Sequence, residues 1–131
     1  MKVSDVMMPK GTFPILTANT LFKLALDSMS AYNLGIACLI DDNQVLLGII
    51  TDGDIRRRIL SDQRPISALF MDDAIEHAIK KPLTVFGDSD LASAVKLMEE
   101  SQVWDLPVVC KDGTLTGMLH LHGAVKLLLG I

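Results

Sequence analysis

Positive charge, cysteine and aromatic residues are all scarce in this sequence. The 131 residues carry a formal net charge of −4, include two cysteines and are 5% aromatic. This negative balance argues against a large electrostatic contact with DNA or RNA, so we expect no nucleic-acid partner. Cys38 and Cys110 each stand in an apolar run, IACLI and LPVVC, which favours two buried, reduced thiols over a disulfide.

Long apolar runs are missing as well. No run approaches the roughly 20 residues that a membrane-spanning helix needs. The opening residues, MKVSDVMMPK, lack the apolar segment of a secretory signal. We therefore expect a cytoplasmic protein with no membrane contact. The chain does have a hydrophobic fraction of 50% and seven methionines, which indicate a globular fold with an adaptable core.

One pattern occurs twice, offset by 69 residues, as Phe22 and Leu91 or Gly48 and Gly117 show. Apolar residues at i, i+3, i+4 and i+7 predict helices over 19–32 and 88–101, capped by Asn19 and Asp88. In each copy an apolar hairpin follows, IACLI with VLLGII and DLPVV with TLTGML, and then a closing helix.

These elements predict an α+β fold made of a duplicated β-α-β-β-α unit. We place repeat 1 at 1–61 and repeat 2, with its leading linker and a short helix in that linker, at 62–131. Each copy alone is too small to bury much of its own surface, so the two copies should pack together.

The run GIITDGD, Gly48 to Asp54, matches a known family signature, G-h-h-T-x-x-D, in which h stands for an apolar residue. On these residues and on the duplicated unit, the whole chain resembles a tandem pair of cystathionine-β-synthase (CBS) domains. The resemblance implies two repeats related by pseudo-two-fold symmetry, each with a small sheet packed against two helices.

The segments VSDVM, LGIA, TDGDIRR and LHLH are similar to the C-terminal part of D-arabinose 5-phosphate isomerases, which serve Kdo and lipopolysaccharide biosynthesis. In that family a sugar-isomerase domain precedes the CBS pair. The resemblance therefore implies a regulatory fragment that is not itself an enzyme. TDGD followed by arginines also occurs in CBS pairs attached to sugar-nucleotide transferases.

The stretch from Thr51 onward carries the candidate chemistry. A hydroxyl and a carboxylate at the end of a strand, Thr51 and Asp54, can together hold the vicinal diol of a ribose. Arg56 and Arg57 in the following helical turn can meet a phosphate, and Gly53 leaves the approach open.

The same stretch has a plainer interpretation, in which Asp54 only caps the helix and the arginines are solvated. Periodicity leaves the two equally open, whereas the CBS resemblance favours a nucleotide site. Arg58 is set aside, because three successive arginines cannot all face one way on a helix.

The second copy departs from the signature, because His120 and Gly123 stand where the first copy has Thr51 and Asp54. This departure argues against an independent second ribose site. In CBS pairs the two halves face each other across a cleft. The resemblance therefore implies that His120 and His122 could approach a ligand held by the first copy.

Five further residues, Gly35 among them, enter the candidate site through the resemblance. Pro14, Ile15 and Leu34 would line a pocket for the base. Trp104, equivalent to Gly35 in the first copy, either stacks on the base or lies at an inter-domain or dimer contact.

Metal binding and catalysis find little support. His120 and His122 could join Cys110 or Asp112 around zinc, but nothing else has metal-ligand spacing, so we expect no metal. No nucleophile stands beside a base, and no carboxylate pair suggests acid–base work. The acidic residues Asp72, Asp73 and Glu76 are expected at a solvated helix start.

The sequence thus predicts a regulatory module that senses a nucleotide or nucleotide sugar and requires no other cofactor. The ligand is expected to be CMP-Kdo, the activated end product of the pathway, or an adenine nucleotide such as AMP or ATP. Expected partners are an attached sugar-isomerase domain and a second copy of the chain. The alternative is a scaffold without ligand that associates through the helix face Ala124, Leu127 and Leu128.

Overall fold

The duplicated pattern of the sequence reappears as two sets of the same elements in a computed structural model, which describes residues 1–130. The chain opens with a 3-10 helix (Val3–Asp5) and strand β1 (Met8–Pro9). Repeat 1 then contributes β2 (Ile15–Thr17), α1 (Phe22–Tyr32), β3 (Ile36–Ile40), β4 (Leu46–Thr51) and α2 (Asp52–Ser61).

The predicted short helix of the linker is confirmed as α3 (Ile66–Leu69), followed by a 3-10 helix (Ala74–His77). Repeat 2 contributes β5 (Val85–Phe86), α4 (Leu91–Ser101), β6 (Asp105–Val109), β7 (Leu115–His120) and α5 (Leu121–Leu128). The predicted α+β fold and both β-α-β-β-α units are confirmed.

The duplication extends to backbone details that the sequence does not display. The hairpin β3–β4 has a register irregularity at Leu39/Ile40, and β6–β7 has one at the equivalent Val108/Val109. Helices α1 and α4 both end on a left-handed residue, Asn33 or Gln102, with the same φ of 55° and ψ of 44°. The two copies therefore have the same backbone conformation at these equivalent positions.

The chain divides into two compact units, Gly11–Pro82 and Met1–Lys10 with the chain from Leu83 onward. The first unit holds the sheet β2-β3-β4, and the second holds the sheet β1-β7-β6-β5. The 3-10 helix that leads each repeat hydrogen-bonds to the other repeat's strand–helix connection. Val3 N donates to Ser89 O at 2.9 Å, and Ala74 N donates to Thr20 O at 2.7 Å.

Each unit therefore contains one repeat together with the leading segment of the other repeat. The repeat bounds 1–61 and 62–131 describe the duplication of the sequence and stay a prediction.

Both long helices begin later than predicted. Helix α1 starts at Phe22 after Leu21, and α4 starts at Leu91 after Asp90. The predicted caps Asn19 and Asp88 are wrong. The delay has a physical cause, because Leu21 and Asp90 are extended and form single β-bridges with Asp73 and Lys2. At Asp90 the carboxylate also accepts a hydrogen bond from Ser93 N at 3.0 Å, which caps α4.

Each unit has its own apolar core, formed by the inner face of the sheet and its helices. In the unit Gly11–Pro82 the core consists of Phe22, Ala25, Met29, Ala37, Leu39, Ile50, Leu69 and Ala74. In the other unit it consists of Val3, Val85, Leu91, Ala94, Met98, Leu106, Val108, Leu119 and Ala124. Burial of these apolar side chains is the main favourable contribution to folding.

Two predictions of burial are corrected. Cys38 is buried as expected, but Cys110 is exposed because it follows the last residue of β6 and begins the turn. Ala124, predicted on an interface face, is 2% exposed and belongs to the core, whereas Leu127 and Leu128 are exposed. Within the described residues, no helix combines the length and apolar character of a membrane span.

Candidate functional site

The junction between β4 and α2 holds Thr51 and Asp54 in a reciprocal capping box. Thr51 is the N-cap and Asp54 is the third helical residue. The Thr51 hydroxyl donates to Asp54 Oδ2 at 2.6 Å and accepts from Asp54 N at 3.3 Å. Thr51 N also donates to Asp54 Oδ2, at 3.1 Å. The two predicted ligand residues are therefore adjacent and already bonded to each other.

Arg57 occupies the other side of the same carboxylate. Its Nη2 donates to Asp54 Oδ1 at 2.8 Å, and the Asp54 side chain is only 11% exposed. The guanidinium also lies over Gly53, where an added Cβ would be 3.1 Å from Nη2. Gly53 thus makes room for the Arg57 side chain, and its role in leaving the approach open to a ligand stays a prediction.

The three successive arginines have three different environments. Arg56 is exposed and has no ion-pair partner among the described residues. Arg57 pairs with Asp54, and Arg58 is half-buried, with its Nη2 donating to Glu76 O at 2.8 Å. The separation of Arg58 from its neighbours follows from the helical twist, as the sequence indicated.

Two cavities flank helix α2 in the unit Gly11–Pro82. One, of about 410 Å³, is lined by Leu26, Met29, Ser30, Asn33, Leu34, Gly35, Asp52 and Ile55. The other, of about 260 Å³, is lined by Asp54, Arg57, Arg58, Ser61, His77, Ala78 and Ile79. The predicted residues Leu34 and Gly35 thus lie in a different cavity from Asp54 and Arg57.

Two predicted base-pocket residues, Pro14 and Ile15, line neither of these cavities. Pro14 is buried, and its carbonyl accepts a hydrogen bond from Cys38 N at 3.0 Å. Ile15 is half-buried in β2, opposite Cys38 in the parallel pair β2–β3. Both residues therefore lie along the sheet that carries Thr51 at its other edge.

The predicted residues of the second copy lie in the other unit. His120 ends β7, and its Nδ1 is 2.7 Å from Asp105 Oδ1, its partner across the β6–β7 ladder. His122 is exposed in the first turn of α5 and therefore lies beyond the strand that His120 ends. Trp104 precedes β6 and is 70% exposed.

A charged network in the linker was not foreseen from the sequence. Arg64 pairs with Asp62 at 2.9 Å and with Asp72 at 2.7 Å, and Asp72 also meets His77 Nε2 at 2.8 Å. The prediction of a solvated Asp72 is wrong, because Arg64 and His77 enclose its carboxylate. The hydrogen bond from Arg64 lowers the pKa of Asp62 to about 2, and the same guanidinium lowers the pKa of Asp72.

Residues missed by sequence reasoning complete the smaller cavity. Arg58, Ser61 and His77 line it together with Asp54 and Arg57. Ser61 is seven residues after Asp54, so helical spacing could have placed it on the same face. His77 is brought there by the linker, and no local pattern in the sequence indicates that contact.

Comparison with known sequences shows a clear similarity. The family model of the CBS domain matches the chain twice, over residues 3–61 and 72–130. The chain is 35% identical over 128 residues to an uncharacterised protein of Chlamydia pneumoniae and 31% identical over 131 residues to the arabinose 5-phosphate isomerase KdsD of Pseudomonas aeruginosa. These matches cover 95% and 96% of this chain but 38% and 37% of those proteins. The chain thus spans little more than a third of their length.

Solved structures have the same fold. CBSX2 of Arabidopsis thaliana, solved in complex with AMP, is similar with a TM-score of 0.85 and 28% identity, over 98% of this chain and 96% of that chain. A CBS domain-containing protein of unknown function from Bacillus anthracis has a TM-score of 0.86 and 18% identity, over 99% and 94%. At this lower identity the likeness shows the fold alone.

Proposed function

Because this chain belongs to the CBS domain family, we propose that it is a regulatory module whose first repeat binds a nucleotide at the Thr51–Asp54 junction. The observation that carries the proposal is the Asp54 carboxylate, held by a capping box at the end of β4 with a guanidinium beside it. A carboxylate can accept hydrogen bonds from both hydroxyls of a ribose, and Arg57 supplies a charge for a phosphate.

The binding of AMP by CBSX2 supports a nucleotide as the class of ligand. In this chain a ligand at Asp54 would extend toward Pro14 and Ile15 on the sheet or toward Leu34 and Gly35 in the larger cavity. Arg56, exposed on α2, remains a candidate for its phosphate. His120, His122 and Trp104 stay predicted contributors from the second repeat.

The parent protein is proposed to be an arabinose 5-phosphate isomerase. The resemblance to KdsD of Pseudomonas aeruginosa and of Francisella tularensis, at 31% and 29% identity, supports this assignment. The module would then follow a sugar-isomerase domain and modulate it. CMP-Kdo, the end product of that pathway, is the proposed feedback ligand, and an adenine nucleotide is the second candidate. Regulation requires that the ligand bind one state of the parent better than another.

Calorimetric titration of the chain with CMP-Kdo and with AMP tests the function. Saturable heat with CMP-Kdo and none with AMP would support feedback sensing. The reverse result would retain the nucleotide sensor and reject CMP-Kdo as its ligand. Absence of binding by both would contradict the proposed function.

A scaffold role is the second candidate, because exposed leucine and isoleucine side chains recur at equivalent places in both repeats. Ile59 and Leu60 at the end of α2 are 43% and 73% exposed, and Leu128 and Leu129 at the end of α5 are 42% and 67% exposed. Such paired apolar ends suit a symmetric contact between two copies. A pure scaffold would form dimers in sedimentation experiments while showing no heat with either nucleotide.

A further inference from the structure

A third cavity lies at the carboxyl ends of two parallel strands in the second repeat. Strand β5 ends at Phe86 and β6 ends at Val109, and these two residues are partners in the parallel pair. The cavity has a volume of about 410 Å³ and is lined by Ser4, Met7, Phe86, Gly87, Asp88, Val109, Cys110, Lys111 and Thr116. Small-molecule sites usually have roughly 300–1,000 Å³, and α/β sheets commonly bind ligands at the carboxyl ends of parallel strands.

This cavity shares no residue with the candidate nucleotide site. All its lining residues belong to the unit formed by Met1–Lys10 and the chain from Leu83 onward. In the same unit, His120 pairs with Asp105, the first residue of β6, whereas the cavity lies at the last residue of that strand. A ligand bound here would therefore add a second binding activity to the proposed function.

Three of the lining side chains offer an apolar surface. Met7 is half-buried, Val109 is 7% exposed, and Phe86 is 44% exposed although it lies in a strand. An aromatic ring that remains accessible in a concave site provides a large contact area for an apolar group. The cavity therefore suits a ligand that carries a ring or a branched alkyl chain.

Two opposite charges stand beside this apolar surface. Asp88 and Lys111 both line the cavity, and both are exposed. Among the residues that the structure describes, neither side chain forms a hydrogen bond or an ion pair, so the two are not paired with each other. A ligand with one group of each sign can contact both without displacing an existing partner.

The first repeat has a different arrangement at the equivalent positions. There Thr17 replaces Phe86, and the lysine is replaced by an aspartate. Asn19 replaces Asp88, and its Oδ1 accepts a hydrogen bond from Thr17 Oγ1 at 2.8 Å. The same backbone thus carries polar side chains that bond to each other in one copy, and an aromatic ring with two unpaired charges in the other. The features of this cavity are therefore not a requirement of the fold.

We infer that this cavity binds an apolar α-amino acid, such as phenylalanine or leucine. The carboxylate of the ligand pairs with Lys111, its ammonium group pairs with Asp88, and its side chain packs on Phe86. The charges favour the zwitterion, because a simple carboxylic acid brings its negative group near Asp88 and a simple amine brings its positive group near Lys111.

Cys110 is a native reporter of occupancy. It lines the cavity and is exposed, whereas Cys38, the other cysteine of the sequence, is buried. An amino acid bound in the cavity covers this thiol and should slow its alkylation by iodoacetamide. Mass spectrometry of peptides from the alkylated chain measures the rate at Cys110 by itself.

The test is calorimetric titration of L-phenylalanine, L-leucine, 3-phenylpropionate and phenethylamine, each repeated as protection of the thiol from alkylation. We expect Lys111→Gln to weaken both amino acids and 3-phenylpropionate by about three- to tenfold without weakening phenethylamine. Asp88→Asn should weaken both amino acids and phenethylamine without weakening 3-phenylpropionate. Lys96→Gln and Glu100→Gln are the matched controls, because they remove exposed charges on α4 of the same unit, and both should bind like the wild type.

A further variant tests the apolar contact. Phe86→Thr introduces the residue of the first repeat and should weaken all four ligands, since each of them loses its packing on the ring. Thermal melting verifies that every variant is folded.

The inference is wrong if neither amino acid binds, or if one binds without slowing the alkylation of Cys110. Binding that is unchanged in both Lys111→Gln and Asp88→Asn, or that falls equally for all four ligands in each, would contradict recognition of the zwitterion. Nucleotide binding is judged separately, because it involves none of these residues.

Discussion

At the scale of single residues, two glycines show how closely the chain is packed against its strands. A Cβ on Gly48 would lie 2.7 Å from Ile79 O, and one on Gly117 would lie 2.8 Å from Met8 O. These glycines hold equivalent positions in β4 and β7. At each of them the neighbouring backbone approaches too closely for any side chain, which explains why both copies carry glycine.

Gly48→Ala should destabilise the fold, by about 1–3 kcal/mol as overpacking usually does, because the methyl group pushes residues 78–79 off β4. The bonds that would be strained join Ile49 and Ile79, at 3.0 and 2.8 Å. Gly123→Ala is the matched control, since a Cβ there meets nothing within 4 Å and Gly123 lies inside α5. That variant should be more stable by about 0.5–1 kcal/mol. Urea unfolding measures both changes, and equal effects would contradict the account.

At the scale of elements, the linker between α2 and α3 is held by the ion pairs of Arg64. Acidification should weaken these ion pairs, and the pKa shifts of the two carboxyl groups determine how stability then changes with pH. The pKa of Asp62 is lowered from its ordinary value to about 2 by Arg64, and that of Asp72 is lowered as well. A carboxyl group with a lowered folded-state pKa contributes stability above its unfolded pKa and loses it as the pH falls through the folded value.

Arg64→Gln should therefore reduce stability near neutral pH, and its difference from the wild type should shrink as the pH falls from about 5 to about 2. Urea midpoints across this range measure the change. Lys23→Gln, which removes an exposed pair with Asp27, serves as the control. A difference that stays constant down to pH 2 would show that Arg64 does not act through these carboxylates.

The elements also show what the sequence could and could not predict. The strands IACLI and DLPVV were located to the residue, because short apolar runs between turns are strong local signals. The starts of α1 and α4 were misplaced, since they depend on bridges to Asp73 and Lys2, which are far away in the chain.

In the candidate site, too, contacts between residues close in sequence were predictable, whereas contacts with residues far away in the chain were not. Thr51 and Asp54 were identified from local spacing, and their contact with Arg57 is also local, three residues along a helix. His77 was missed because it reaches the cavity from the linker, and its pairing with Asp72 could not be read from a period or a motif.

At the scale of the whole molecule, the two repeats exchange their leading segments. Each 3-10 helix, Val3–Asp5 or Ala74–His77, hydrogen-bonds to residues of the other repeat. The duplication predicts two equal copies, but it does not say which copy a leading segment joins. The exchange has a consequence for the candidate site, since it brings His77 of the second repeat's linker beside Asp54 of the first.

The central claim is that Asp54 holds a nucleotide. Calorimetry of AMP and CMP-Kdo with Asp54→Ala and Asp90→Ala tests it most directly. Both aspartates accept hydrogen bonds at the start of a helix, Asp54 in the capping box with Thr51 and Asp90 as the N-cap, so either loss costs about 1 kcal/mol of stability. We predict that Asp54→Ala lowers the affinity of the nucleotide that binds the wild type by at least about tenfold, while Asp90→Ala binds it like the wild type. Undiminished binding by Asp54→Ala would contradict the account.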